Sequence, residues 1–127
     1  INKKEPQLTC PTASDKFTVN TSNGNGALTY PVGLITADEV AMSGGVNSSD
    51  NENSSYYLYT NQYYWSGSPY SFYSALSYAY EFGVSTYGGG GAYIVSSTAY
   101  GARPVVSLSS KAKLSGNGTY SKPYTVS

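Results

Sequence analysis

Twelve of the fifteen tyrosines of this chain fall between Tyr56 and Tyr100, in a stretch opened by "YYLYTNQYYWSGSPYSF" and otherwise rich in serine and glycine, with almost no charge. No other feature limits the fold as much. A chain of 127 residues makes one domain, and a domain of that size buries roughly two-thirds of the surface its unfolded chain exposes. The aliphatic supply is thin, so part of the core must be aromatic. A buried tyrosine needs a partner for its hydroxyl, so the fifteen tyrosines cannot all be core. The fold must therefore show many of them to solvent.

Charge and residue usage exclude whole classes of function. The formal net charge is zero and the lysines lie near the two ends, which leaves no basic stripe for a phosphate backbone and argues against a nucleic-acid partner. No apolar run approaches the ~20 residues of a membrane span, and no signal peptide is recognisable. Direct membrane insertion of this fragment is not expected. Histidine is absent, which removes Ser-His-Asp, Cys-His and histidine-zinc chemistry. The single cysteine, Cys10, cannot form an internal disulfide and reads as an ordinary buried or tail thiol. No catalytic residue, metal site or cofactor is expected. Because the chain begins at Ile1 without a methionine, it reads as a processed or truncated piece of something longer.

Residues 1–14 are polar and carry Pro6 and Pro11, so they read as an extended entry segment or linker, with the domain spanning 15–127. "KFTVN" and "ALTYPV", separated by the turn-rich "TSNGNG", predict a hairpin or two short strands. In "LITADEVAMSGG", Thr36 and Glu39 have the spacing of a capping box, and Ile35 with Val40 that of the hydrophobic staple that accompanies it. Gly44 and Gly45 supply the stop. A helix is thus predicted over about 37–43, with Val40 and Ala41 inward. Neighbouring Asp38 and Glu39 point about 100° apart on a helix and complement its N-terminal dipole, so they read as structural.

"VNSSDNENSS" is a polar insertion. Asp50 and Glu52 could hold calcium weakly, but their spacing matches no EF-hand, and a solvated loop is preferred. Asn20, Asn47, Asn53 and Asn117 are Asn-x-Ser/Thr acceptors, weak evidence of secretion in so Asn- and Ser-rich a chain. "YYLYT" and "YYWS" predict strands with a tight turn at "NQ". "YGGGGAY" lacks the following helix that a phosphate loop requires and reads as a loop or hairpin end. "GARPVVSLS" predicts a central buried strand with Trp65 largely buried beside it. Arg103 is expected to lock a loop through carbonyls or a carboxylate rather than touch a ligand. After "SGNG", "PYTV" closes the fold.

Residues 70–100 have the composition of antibody combining loops, in which tyrosine gives rigid contact area and serine, glycine and asparagine give adaptable hydrogen bonds. Phe72, Leu76, Phe82, Val84, Ile94 and Val95 recur as apolar anchors. The expectation is a scaffold punctuated by displayed positions, with Phe72, Phe82, Val84 and Val95 inward and the tyrosines clustered on one side. Every residue from Tyr70 to Tyr100 except Glu81 can be encoded by a codon ending in cytosine, the set that adenine-directed mutagenesis of AAC codons produces.

"GNGALTYPVGLITADEVAMSGG", "SYYLYTNQYYWSGSPYSF" and "YGARPVVSL" followed by "GNGTYSKPYTV" resemble the C-terminal domain of surface and pilin-like proteins of gut Firmicutes. These in turn are similar to the variable proteins of diversity-generating retroelements. "LITADEV" is similar to that group's "LPT"-like helix cap, "WSGSP" to its "W-x-x-S" strand and "GARPV" to its terminal "G-x-R-P-V" strand, over about Asp15 to Val126. The resemblance implies an α+β, C-type lectin-like domain of the formylglycine-generating-enzyme type, with a small twisted antiparallel sheet, the short helix and much ordered loop. It implies displayed, diversified ligand-binding positions at Tyr70, Ser71, Tyr73, Ser74, Ser77, Tyr78, Tyr80, Ser85, Tyr87, Tyr93, Ser96, Ser97 and Tyr100. Glu81 cannot come from an AAC codon. The calcium-sugar motifs "EPN" and "WND" of true C-type lectins are missing, which argues against calcium-dependent sugar binding.

The expected function is non-enzymatic recognition, extracellular and at the cell surface, of a protein or glycan on another cell or a phage. The alternative is a structural pilin or surface-layer subunit whose tyrosine-rich face packs on neighbours, with assembly through a part preceding Ile1.

Overall fold

The capping box forms as its spacing demands. In the computed structural model, which describes residues 5–47, 55–96 and 100–127, Glu39 N donates to Thr36 Oγ1 at 3.1 Å and Thr36 N donates to Glu39 Oε2 at 2.8 Å. These two bonds start α1 (Ala37–Met42). The staple residues Ile35 and Val40 are both buried, and Gly44 turns the chain away with φ +98°. Ala41, expected inward, is exposed. A six-residue helix offers the core only a narrow stripe, and Ala41 sits about 100° round the axis from Val40.

Just before the helix lies β1 (Gly33–Leu34), and just after it β2 (Val46–Asn47). The tyrosine-rich region then makes an antiparallel meander of β3 (Tyr64–Tyr73), β4 (Tyr78–Val84) and β5 (Gly89–Ile94). Next come β6 (Gly101–Ala102) and β7 (Pro104–Val105), and finally β8 (Leu114–Ser115) and β9 (Thr125–Val126). The main sheet has the order β2-β5-β4-β3-β6. It is mixed rather than purely antiparallel, because β2 joins β5 and β6 joins β3 in parallel. Small antiparallel pairs β1/β7 and β8/β9 complete an α+β architecture that is mostly sheet with one short α-helix among the described residues.

Several predicted strands fail for identifiable reasons. Lys16–Asn20 and Ala27–Val32 form no strand, although Asn25 N donates to Lys16 O and Leu28 N to Thr18 O across the turn. Phe17 and Val19 are exposed, so their alternation has no sheet to cover. Tyr56–Thr60 is turn and coil, because Tyr56 is drawn down into the core. The strand predicted over 101–109 breaks in two. Its first half lies at the sheet edge on β3, its second half leaves to pair with β1, and Val106 and Leu108 are exposed. Pro104 offers no N–H to a second neighbour, which fits an edge better than a centre. The glycine run, expected as loop, enters strand β5 at Gly89 after a turn at Thr86–Gly88.

The core is small and partly aromatic: Ile35, Val40, Tyr56, Tyr64 and Val84, with Leu58, Tyr59 and Val105 packed against it. The Tyr56 and Tyr64 hydroxyls bond each other at 2.9 Å, which satisfies two phenols the core could not otherwise hold. Burial, reinforced by that bond, holds the Tyr64 phenol far above its ordinary value. Arg103 donates to Leu58 O and lies over the Tyr64 ring, 4.9 Å from its centroid. It thus takes the loop-locking part expected of it. The entry segment carries no helix or strand over residues 5–12 but is tied to α1 where Gln7 N donates to Asp38 Oδ1. Cys10 is a free thiol whose Sγ donates to Thr12 O at 3.3 Å.

Candidate functional site

Register divides the tyrosine-rich region between two faces. Residues directly opposite each other on antiparallel strands share a face, and alternate residues along a strand change face. Tyr64 faces Val84, Ser71 faces Tyr80 and Tyr73 faces Tyr78. Val84, Phe82, Tyr80 and Tyr78 therefore share the side on which the core lies. Register shifts between Trp65 and Ser71 bring Tyr70 onto this side as well, where its ring meets Phe82 edge-on at 4.9 Å.

On the core side, β3 and β4 run out past the rest of the sheet as a two-stranded arm. All residues from Pro69 to Tyr78 are exposed. The tight turn is closed by Leu76 N and Ser77 N donating to Tyr73 O and Ser74 O, with Ser77 at φ +55°. Tyr70, Ser71, Tyr73, Ser74, Ser77 and Tyr78 all lie on the arm, and Tyr80 at its base is half-buried. Beside that base, where Tyr70 meets Phe82, lies a cleft of about 540 Å³ lined by Val40, Val46, Pro69, Phe82 and Val84. Ser66, Ser68, Glu5 and Asp38 are the polar and charged residues that line it. A mostly apolar cleft of this size with a few polar groups is the usual form of a ligand site.

The opposite face carries Trp65, Glu81, Gly83, Gly91 and Tyr93, which the registers Trp65 to Gly83, Glu81 to Tyr93 and Gly83 to Gly91 place together. Tyr63 and Tyr100 join them. Tyr63 stacks on Tyr100 at 4.6 Å, Trp65 tilts against Tyr100 at 4.5 Å, and Tyr93 meets Tyr100 edge-on at 5.0 Å. Gly83 and Gly91 form the floor, since a Cβ on either would come within 3.0 Å or 3.1 Å of the Tyr93 side chain. Close approach of another group is what glycine inside a strand commonly marks. Burial, with the neighbouring Tyr63, raises the Tyr93 phenol above its ordinary value, and the Ser85 hydroxyl partly offsets this.

The structure thus separates positions that the sequence expectation grouped on one side. Tyr93 and Tyr100 lie on the glycine-floored face, away from the arm. Ser85 is buried, its Oγ accepting from Tyr87 N in the β4–β5 turn, so it supports the turn instead of being displayed. Tyr87 and Ser96 are exposed, while Ser97, Asp50 and Glu52 lie outside the described residues. Of the anchors expected inward, Val84 is buried and Phe82 half-buried, but Phe72 is 66 % exposed and Val95 48 %. Leu76 is also exposed. Phe72 and Leu76 belong to the arm, which no other described element covers. Trp65, expected to be largely buried, is half-buried beside Ala102.

Sequence reasoning missed Tyr63, Trp65 and Glu81 as members of one cluster. The i, i+2 spacing of Tyr63 and Trp65 was available as a signal, but their partners across the sheet were not. Among the described residues no three His, Cys, Asp or Glu side chains gather to hold a metal, and no helix is long and apolar enough to cross a membrane. No protein-family model, curated protein or solved structure matches the chain.

Proposed function

We propose that this chain is a non-enzymatic, extracellular recognition domain that binds a protein or glycan ligand through the row Tyr70, Tyr73, Tyr78 and Tyr80 and the cleft at its base. One observation carries the reading. Tyr70, Tyr73 and Tyr78 stand exposed on a ribbon, and the Tyr70 ring packs on Phe82, which lines an apolar cleft. Tyrosine in such a place gives contact area at little entropic cost, whereas exposed aromatics add little to the stability of the free domain. The capped helix and the "WSGSP" strand support a C-type lectin-like fold, with the displayed residues diversified.

The test is binding of the wild type and the triple variant Tyr70→Ser/Tyr73→Ser/Tyr78→Ser to an array of bacterial and host glycans and to a displayed random-peptide library. Binding should fall at least about tenfold in the variant, a loss of about 1.4 kcal/mol, with the melting temperature kept. Unchanged binding by the triple variant would sink the assignment of the site.

A second reading has its own observation. Phe72 and Leu76 leave apolar surface uncovered at the arm, and contiguous apolar patches commonly mark protein contacts. As a pilin or surface-layer subunit, the chain would use the arm for self-assembly. Size-exclusion chromatography across a concentration series separates the two readings, because only the structural subunit assembles reversibly through Phe72.

A further inference from the structure

Glu81 is the only charged residue between Tyr56 and Ala102, and it stands in the middle strand of the sheet. Its cross-strand neighbours are Tyr93 on one side and Pro69 on the other. It is half-buried and has neither an ion pair nor a hydrogen bond among the described residues. The nearest described cation in sequence, Arg103, is committed to Leu58 O and the Tyr64 ring. A carboxylate in such a place pays for partial loss of water without a compensating partner. Burial accordingly holds its carboxyl above the ordinary 4.5. Nothing among the described residues pairs with the charge.

We propose that this face, opposite the cleft, is a second contact surface that receives an arginine side chain of a partner protein, its guanidinium paired with the Glu81 carboxylate and lying against the adjoining aromatic cluster. The chemistry of the face selects the ligand. A guanidinium pairs with a carboxylate through two parallel hydrogen bonds and stacks on aromatic rings as well. Tyr93 sits about 5 Å from Glu81 between Cβ atoms, as directly opposed strand residues do, so one planar cation can meet both. A quaternary ammonium fits less well. It cannot donate a hydrogen bond to the carboxylate, and the rings of Tyr63, Trp65, Tyr93 and Tyr100 already pack on one another at 4.5 to 6.5 Å, leaving no slot between them for it to enter. The floor of Gly83 and Gly91 leaves room for the Tyr93 ring to lie close against the sheet.

The lone tryptophan is in this cluster, so Trp65 fluorescence reports binding here and not at the cleft. The peptide Ac-Gly-Arg-Gly-NH2 and its citrulline counterpart, which keeps the shape of arginine but not the charge, are titrated against the wild-type chain at low salt. Arginine should perturb Trp65 with an affinity about tenfold better than citrulline, and the preference should shrink as salt rises. Glu81→Gln should abolish the preference while Trp65 emission of the free chain stays as in the wild type. Equal affinities for arginine and citrulline overturn the proposal on the wild type alone, whether or not the variant folds, and a preference that survives in Glu81→Gln overturns it too. Because the arm variant Tyr70→Ser/Tyr73→Ser/Tyr78→Ser leaves this face intact, it should keep the arginine preference. Loss of ligand binding at the arm and loss of arginine binding at Glu81 are therefore separately readable.

Discussion

The Tyr56 and Tyr64 hydroxyls satisfy each other inside the core, and that makes their worth testable as a pair. Removing one hydroxyl strands the other in a buried site, which typically costs about 1–3 kcal/mol, whereas removing both leaves no unsatisfied group. Tyr64→Phe and Tyr56→Phe should each lower stability by about that much. The double variant should be less destabilised than the two single losses added together, as residues in direct contact usually are. Urea unfolding of the four chains checks it, and additive losses would show that the bond contributes nothing. Glu81 makes an opposite prediction. Its carboxyl is raised by burial, so the folded chain holds the proton more tightly than the unfolded one does. Glu81 thus supports the fold below its ordinary pKa, and that support is lost as pH rises through the raised folded value. Glu81→Gln should therefore melt above the wild type at pH 7, with the gap narrowing as pH falls through the raised folded value and closed below the ordinary 4.5. A gap that does not change with pH would show that Glu81 is not desolvated.

Within β4 and β5, glycine does different work at different positions. At Gly83 a Cβ would sit 3.0 Å from the Tyr93 ring and 3.1 Å from Tyr64 O, while at Gly90 the nearest atom, Val46 O, is 3.6 Å away. Gly83→Ala must displace a ring or a neighbouring strand, and overpacking of that kind costs about 1–3 kcal/mol. Gly90→Ala should be close to neutral or mildly favourable, since alanine restricts the unfolded chain more than glycine does. Thermal melting of both variants checks the contrast, and equal effects would remove the account of why these strands are so rich in glycine. The arm built by β3 and β4 follows a related logic. Two strands alone are marginally stable in water, so its order depends on the sheet that grips its base.

At the scale of the molecule, the question is which aromatic residues hold the domain together and which face outward. Val84 is buried, Phe82 is half-buried at the cleft and Tyr78 is exposed. Tyr78→Ser should stay within about 0.5 kcal/mol of the wild type. Phe82→Ala should cost about 1–3 kcal/mol, less than the 3–5 typical of a fully buried phenylalanine, because part of its ring already faces the cleft. Val84→Ala should cost a similar amount through loss of packing against Tyr64. Side-by-side melting tests the ordering, and a Tyr78→Ser as damaging as Val84→Ala would place the arm inside the core.

What could be read along the chain is what neighbours a few residues apart decide. The cap at Thr36, the staple of Ile35 with Val40 and the stop at Gly44 form because each contact spans three to five residues, and no distant partner is needed. Arg103 was legible in part, since it was expected to lock a loop through carbonyls or a carboxylate and it holds Leu58 O, but its place over the Tyr64 ring was not. The faces of the sheet were not legible. Whether Tyr93 joins Tyr78 or Trp65 depends on pairings across the sheet and on the irregular register between Trp65 and Ser71. A one-residue change of register moves every side chain to the other face. The same reason explains the glycine run, which becomes strand because the Tyr93 ring and β2 lie against it, and "GARPV", which divides because two different strands compete for its two halves. Composition required many tyrosines at the surface. Only the tertiary structure decided that those tyrosines lie on two opposite faces, with the Glu81 carboxylate, unpaired among the described residues, on the second.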